Sequence, residues 1–215
     1  INFKGEDEDQ REAMSFLIGA FLTAIILMAL ILVTQFNSIY QAFLVLSAIV
    51  FSTAGVLLGL LITAQPFGIV MVGLGIIALA GIVVNNNIVL IDTYNRMRRN
   101  NLDAISAAME TGRRRLRPVF LTAFTTVLGL MPMVLAMNID LINREISFGA
   151  PSTQWWTQLA SAIAGGLSFA TLLTLVLTPC LLVMGEQLLD HFSSLKQLLL
   201  SLMSRIFNRE SSTKV

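Results

Sequence analysis

Charge is the scarcest commodity in this sequence. From Ala13 to Ile91 there is no Asp, Glu, Lys, Arg or His, and only 13% of the 215 residues are charged. Apolar residues make up 55%, and the mean hydropathy is +0.78, which excludes an ordinary soluble domain. Cysteine and histidine occur once each, as Cys180 and His191. A single cysteine excludes an internal disulfide, and neither residue has companions for a metal site, so we read neither as chemical. A net charge of +1 implies no polyanion partner, nucleic acid included. No catalytic constellation stands out, and we expect no enzyme. A basic leader and a cleavage site are missing before the first apolar run. Since the chain opens on Ile1, we expect a fragment lacking its N-terminal part, or a chain cut for study.

What is present is long apolar sequence. A bilayer core of about 30 Å needs about 20 apolar residues as helix. Barrel strands would alternate polar and apolar, and these runs do not. The expected fold is all-α: a polytopic transmembrane bundle of five spans, residues 13–36, 39–63, 67–92, 118–137 and 157–184. Asn37-Ser38 and Gln65-Pro66 break the first three runs. Residues 1–12 form a flank, 93–117 and 138–156 loops, and 185–215 a tail.

Arginine sets the expected orientation. The 93–117 loop carries seven arginines between Arg96 and Arg117 against Asp103 and Glu110, and such loops stay in the cytoplasm. Five spans then place the N-terminus in the periplasm and the C-terminus in the cytoplasm. The acidic run Glu6 to Asp9 and the basic tail (Lys196, Arg205, Arg209, Lys214) agree. Trp155-Trp156 fits an outer interfacial belt. Leu102, Ile105, Ala108 and Met109 recur at helical spacing, which predicts a short amphipathic helix on the inner face with Asn101 as a possible cap. The arginines there serve either as topogenic anchors or as contacts for anionic lipid. In the tail Leu188, Phe192, Leu195, Leu199, Leu202 and Ile206 form one stripe, a second interfacial helix or a fit to a partner. Gly55 and Gly59, Gly73, Gly75, Gly81 and Gly165-Gly166 predict close helix contacts. Pro132 predicts a kink.

Against this background three adjacent amides stand out in the third span, Asn85, Asn86 and Asn87. They lie about 10 Å inside the boundary and fan across about 200° of helix, so they cannot all face one neighbour. Thr122, Thr125 and Thr126 of the fourth span lie at compatible depth, with Thr122 and Thr126 on one face. Two readings stand side by side. One is plain interhelical hydrogen bonding, at about 0.6 kcal/mol per bond. The other is a polar pathway through the membrane. An amide does not titrate near neutral pH, so these residues orient or sense a charge but carry no proton.

The stretch GIVVNNNIVLID, the arginine-rich loop, RRRLRPVFLT from Arg113 to Thr122, and LGLMP from Leu128 to Pro132 together resemble the resistance-nodulation-division (RND) efflux permeases. The likeness is strongest to their hydrophobe/amphiphile exporters. It covers nearly the whole chain and is weakest in the tail. The resemblance implies spans eight to twelve of a twelve-span protein built from two repeats, each with a large periplasmic domain. It implies a homotrimer in the bacterial inner membrane, working with a periplasmic adaptor and an outer-membrane channel. It implies drug–proton antiport driven by the proton gradient, with no cofactor. The family's relay sets aspartates of span four against a lysine in span ten and an arginine and a threonine in span eleven. By motif, Asn85 falls on the lysine, Asn86 on the asparagine after it, Arg115 on the arginine and Thr122 on the threonine. Asn85 departs from the pattern, since it supplies no charge. Either Arg115 or water is then the counter-charge, or coupling is altered. Two alternatives stay open: a truncated or split-gene product without transport of its own, and a relative exporting lipid or protein.

Overall fold

The computed structural model describes the backbone of residues 4–140, 145–149 and 151–212, and the side chains of residues 8, 10–137, 149 and 153–187. Five helices carry the fold: α1 Lys4–Phe36, α2 Ile39–Ile62, α3 Ile69–Arg99, α4 Ala104–Val134 and α5 Pro151–Ser212. Each contains a segment long and apolar enough to cross a membrane.

The helices end where local chemistry ends them. Asn37, Ala64, Asn101 and Ala136 each take positive φ just past a helix, the left-handed stop common at helix C-termini. The short turns between them reverse the chain, so α1 to α4 alternate in direction. Ser38 caps α2, its hydroxyl accepting from the Gln41 N–H at 3.4 Å. Asp103 caps α4, its carboxylate accepting from the Ser106 N–H at 3.4 Å.

The segment between the third and fourth spans differs from expectation. There is no separate amphipathic helix, and Asn101 ends α3 instead of capping α4. Residues 104–117 are the first half of α4, which runs through Pro118 without a break. An interior proline costs about 3 kcal/mol. Ala107, Ala108 and Thr111 are buried in the same stretch, and their packing holds the helix together across the lost bond.

The 138–156 segment is not all loop either. Strands β1 (Met137–Asp140) and β2 (Glu145–Phe148) pair antiparallel, with Met137 opposite Phe148 and Asp140 opposite Glu145. Both strands alternate apolar and polar residues, the period of an extended chain. Trp155 and Trp156 lie in the first turns of α5, both exposed. The tail stripe from Leu188 to Ile206 continues α5, but its side chains lie outside the described residues, as does that of His191.

α5 is the hub, packing on α2, α3 and α4. Its seam with α2 is built from glycine on both sides. A methyl placed on Gly59 would meet Gly165 Cα at 2.7 Å and Ser161 O at 2.8 Å. One placed on Gly55 would meet Gly166 Cα at 3.1 Å. The two backbones therefore approach as closely as small residues allow. Gly81, by contrast, has nothing within 4 Å and lies on the exposed face of α3.

At the arginine-bearing end, polar side chains tie the helices together. Gln41 and Asn95 exchange two amide hydrogen bonds of 2.9 Å. Arg98 grips Glu186 of α5 through Nε (3.0 Å) and Nη2 (2.8 Å). The Tyr40 hydroxyl donates to the Leu181 carbonyl at 2.6 Å.

Candidate functional site

The three amides part company once α3 takes its place. Asn87 is fully buried at 0% exposure. Its Nδ2 donates to Val83 O at 3.1 Å, and its Oδ1 accepts from the Thr178 hydroxyl of α5 at 2.7 Å. Asn86 is half-buried and Asn85 exposed. Neither makes a hydrogen bond with any described residue. One amide thus does what the interhelical reading expects, and two make no bond across helices among the described residues.

Arg115 of α4 is half-buried. Its Nε donates to the Thr93 hydroxyl at 2.7 Å, and that hydroxyl donates on to Val89 O at 2.8 Å. Thr93 is itself buried, at 5% exposure, so the guanidinium is held from behind. No further partner engages its Nη groups among the described residues. Thr122 is exposed, and its hydroxyl donates to Val119 O of its own helix at 3.0 Å.

Among the described residues no hydrogen bond joins Asn85 or Asn86 to Arg115 or Thr122. Register nonetheless levels them. α3 and α4 form a hairpin, and the Thr93–Arg115 contact sets their relative height. Seven residues on from Arg115 is Thr122, and seven back from Thr93 is Asn86. Seven residues of helix rise about 10 Å and return to nearly the same face. Asn86 and Thr122 therefore stand at about one depth, each about two turns from the Thr93–Arg115 contact.

Three residues with roles here escaped the sequence reading: Thr93, Thr178 and Asn95. For Thr178 there was a signal, since Thr171, Thr174 and Thr178 repeat at helical spacing in α5 and all three are buried. Nothing in the sequence couples Thr93 to Arg115, because that pairing depends on how two helices rotate against each other. Among the described residues no group of His, Cys, Asp and Glu could hold a metal ion.

Five apolar helices, with polar side chains held within them, define a multi-pass membrane protein. The chain belongs to the AcrB/AcrD/AcrF family, whose model matches residues 1–185, and so to the RND permeases. It is 33% identical over 179 residues to the swarming motility protein SwrC of Bacillus subtilis, covering 83% of this chain and 16% of that protein. It is 31% identical to the cobalt-zinc-cadmium resistance protein CzcA of Cupriavidus metallidurans, over 84% of this chain and 16% of that one. With the multidrug resistance protein MdtC of Yersinia pseudotuberculosis it shares 28% identity, over 89% of this chain and 18% of MdtC. The crystal structure of a heavy metal efflux pump superposes with a TM-score of 0.69 at 29% identity, over 85% of this chain and 17% of that pump. The chain thus spans about a sixth of the length of these relatives, with 16% of SwrC covered. Their names divide among motility, metal resistance and multidrug resistance. They support the permease family without supporting its hydrophobe/amphiphile branch.

Proposed function

We propose that this chain is the membrane-domain part, spans eight to twelve, of a proton-driven RND exporter of drugs and other xenobiotics. It sits in a bacterial inner membrane with its arginine-rich end in the cytoplasm. The remaining spans and periplasmic domains, a homotrimer, a periplasmic adaptor and an outer-membrane channel complete the working assembly.

The observation that carries this reading is the Thr93–Arg115 contact between α3 and α4. It fixes Arg115 with its Nη groups uncommitted among the described residues, while Asn85, Asn86 and Thr122 make no hydrogen bond between helices there. The centres of the five spans carry no Asp, Glu, Lys, Arg or His. In this reading the proton is therefore carried by groups outside this chain, on the surface that packs against α3 and α4. Carboxylates of span four fill that role in the resemblance. Asn85 then orients a carboxylate by hydrogen bond, and Arg115 supplies the positive charge that a lysine at position 85 would have given.

In the complete protein, Arg115→Ala is expected to lower export about tenfold, the effect of losing about 1.4 kcal/mol of counter-charge interaction. Asn85→Ala is expected to shift the pH dependence of export. Unchanged export and an unchanged pH profile in both variants would sink this assignment. A second reading, a metal exporter, is favoured by the names of CzcA and the heavy metal pump. Transport assays with drugs and with divalent cations in parallel decide between the two cargoes.

A further inference from the structure

A cavity of about 430 Å³ opens between α3 and α4 at the end where both helices carry their arginines. Thr93, Arg96, Met97 and Asn100 line it from α3, and Arg114 and Arg115 from α4. Three of these six are arginines and none is acidic. Glu110 compensates only Arg114, through Nε and Oε1, so three positive charges less one leave a local balance of +2. Arg96 makes no hydrogen bond or ion pair with any described residue. Arg115 is turned by Thr93 so that only its Nε is engaged.

Concentrating like charge without a partner is unfavourable by itself, and guanidinium forks match the oxygens of a phosphate. Asn100 and Thr93 add neutral polar groups to the same wall. The depth is also telling. The charge-free run ends at Ile91, two residues before Thr93, and on α4 the apolar run begins at Pro118, three residues after Arg115. The cavity therefore lies where apolar helix surface gives way to charge on both sides, the level of a lipid phosphate. Leu121, seven residues from Arg114 and so on its face of α4, is 61% exposed and offers apolar surface to an acyl chain.

We propose that this cavity is a phosphate-binding site, occupied by the headgroup of an anionic phospholipid. The site shares Arg115 with the proton-relay reading and is carried by Arg96 and Arg114, which lie outside the residues assigned to that relay. Free phosphate shares the headgroup's chemistry, and a separate arm of the test distinguishes the two.

The complete protein is examined in detergent by native mass spectrometry, with phosphatidylglycerol, phosphatidylcholine or inorganic phosphate added. The wild type is expected to retain phosphatidylglycerol in preference to phosphatidylcholine. Arg96→Gln and Arg114→Gln should each weaken that retention about fivefold, equivalent to about 1 kcal/mol per basic residue near an anionic surface. Arg117→Gln, which does not line the cavity, should leave it unchanged. Arg96→Lys keeps the charge and loses the fork, so it should retain part of the effect. Helicity and a single elution peak identify variants that fold. Displacement of phosphatidylglycerol by millimolar inorganic phosphate would support the site and reassign its ligand to free phosphate. Equal retention of the two lipids by the wild type, or undiminished phosphatidylglycerol retention in both glutamine variants, overturns the proposal.

Discussion

Asn87 shows how one helical step separates structure from function. It sits one position from Asn86, yet it alone turns into the bundle and bonds across to Thr178. Removing either partner leaves a buried polar group unsatisfied. Asn87→Ala and Thr178→Val should each lower stability by about 1 kcal/mol, the usual size of such bonds. The double variant should cost less than the sum. Unfolding in detergent measures this, and additive losses would show that the two side chains act separately. Thr93 has a different task. Thr93→Val removes the acceptor that orients Arg115, so in the complete protein export should fall and its pH profile should move, while helicity stays constant.

The same residues mark the limit of what the sequence discloses. The depth of the asparagines, and that at least one must pair across helices, follows from counting along an apolar run. Which one pairs does not. A fan of about 200° leaves the rotation of α3 undetermined, and only its seating against α5 selects Asn87. Arg115 and Thr122 are named from a motif, and their level against Thr93 and Asn86 depends on the register of two helices that no local pattern encodes.

At the scale of elements, the five apolar runs were legible because the membrane demands them, and their ends were not. α3 continues to Arg99 and α4 begins at Ala104. Helix neither stops nor starts at the edge of apolar sequence when packing sustains it. The α2–α5 seam is the tightest of these packings. Gly59→Leu should separate the two helices, because the space is filled by Gly165 and Ser161 backbone. A fall in thermal stability of at least a few kcal/mol is expected from such overpacking. Gly81→Leu, facing open space, should change stability little. At the start of α4, the hydroxyl and N–H of Ser106 hold the Asp103 carboxyl below the usual aspartate range. A lowered folded value means that the cap's contribution is fully present above about pH 4, the ordinary value, and is lost as pH falls through the folded one. The stability gap between wild type and Asp103→Ala should therefore narrow as pH falls below about 4, the ordinary carboxylate value.

For the whole molecule, the proposed orientation has a direct test. Cys180 is exposed, so it is first replaced by alanine. A cysteine at Arg99 should then react with a membrane-impermeant thiol reagent only from the cytoplasmic side, and one at Gln154 only from the periplasmic side. The reverse pattern would invert the topology. The apolar surface left open on α1, α2 and α4 belongs either to lipid or to the remaining spans. Crosslinking from Asn85 in the complete protein tells which of these covers the exposed face of α3.

α1 meets the bundle along a narrow line. Only Leu17 and Leu32 are buried among its described residues, with Phe21, Met28 and Phe36 packed partly alongside. These five fall in single file on one face of the helix. A contact reduced to a line works as the spine of a hinge: it resists sliding and pulling away, and it leaves the helix free to roll. Over the roughly 50 Å length of a 33-residue helix, such rolling would swing every side chain opposite the spine together.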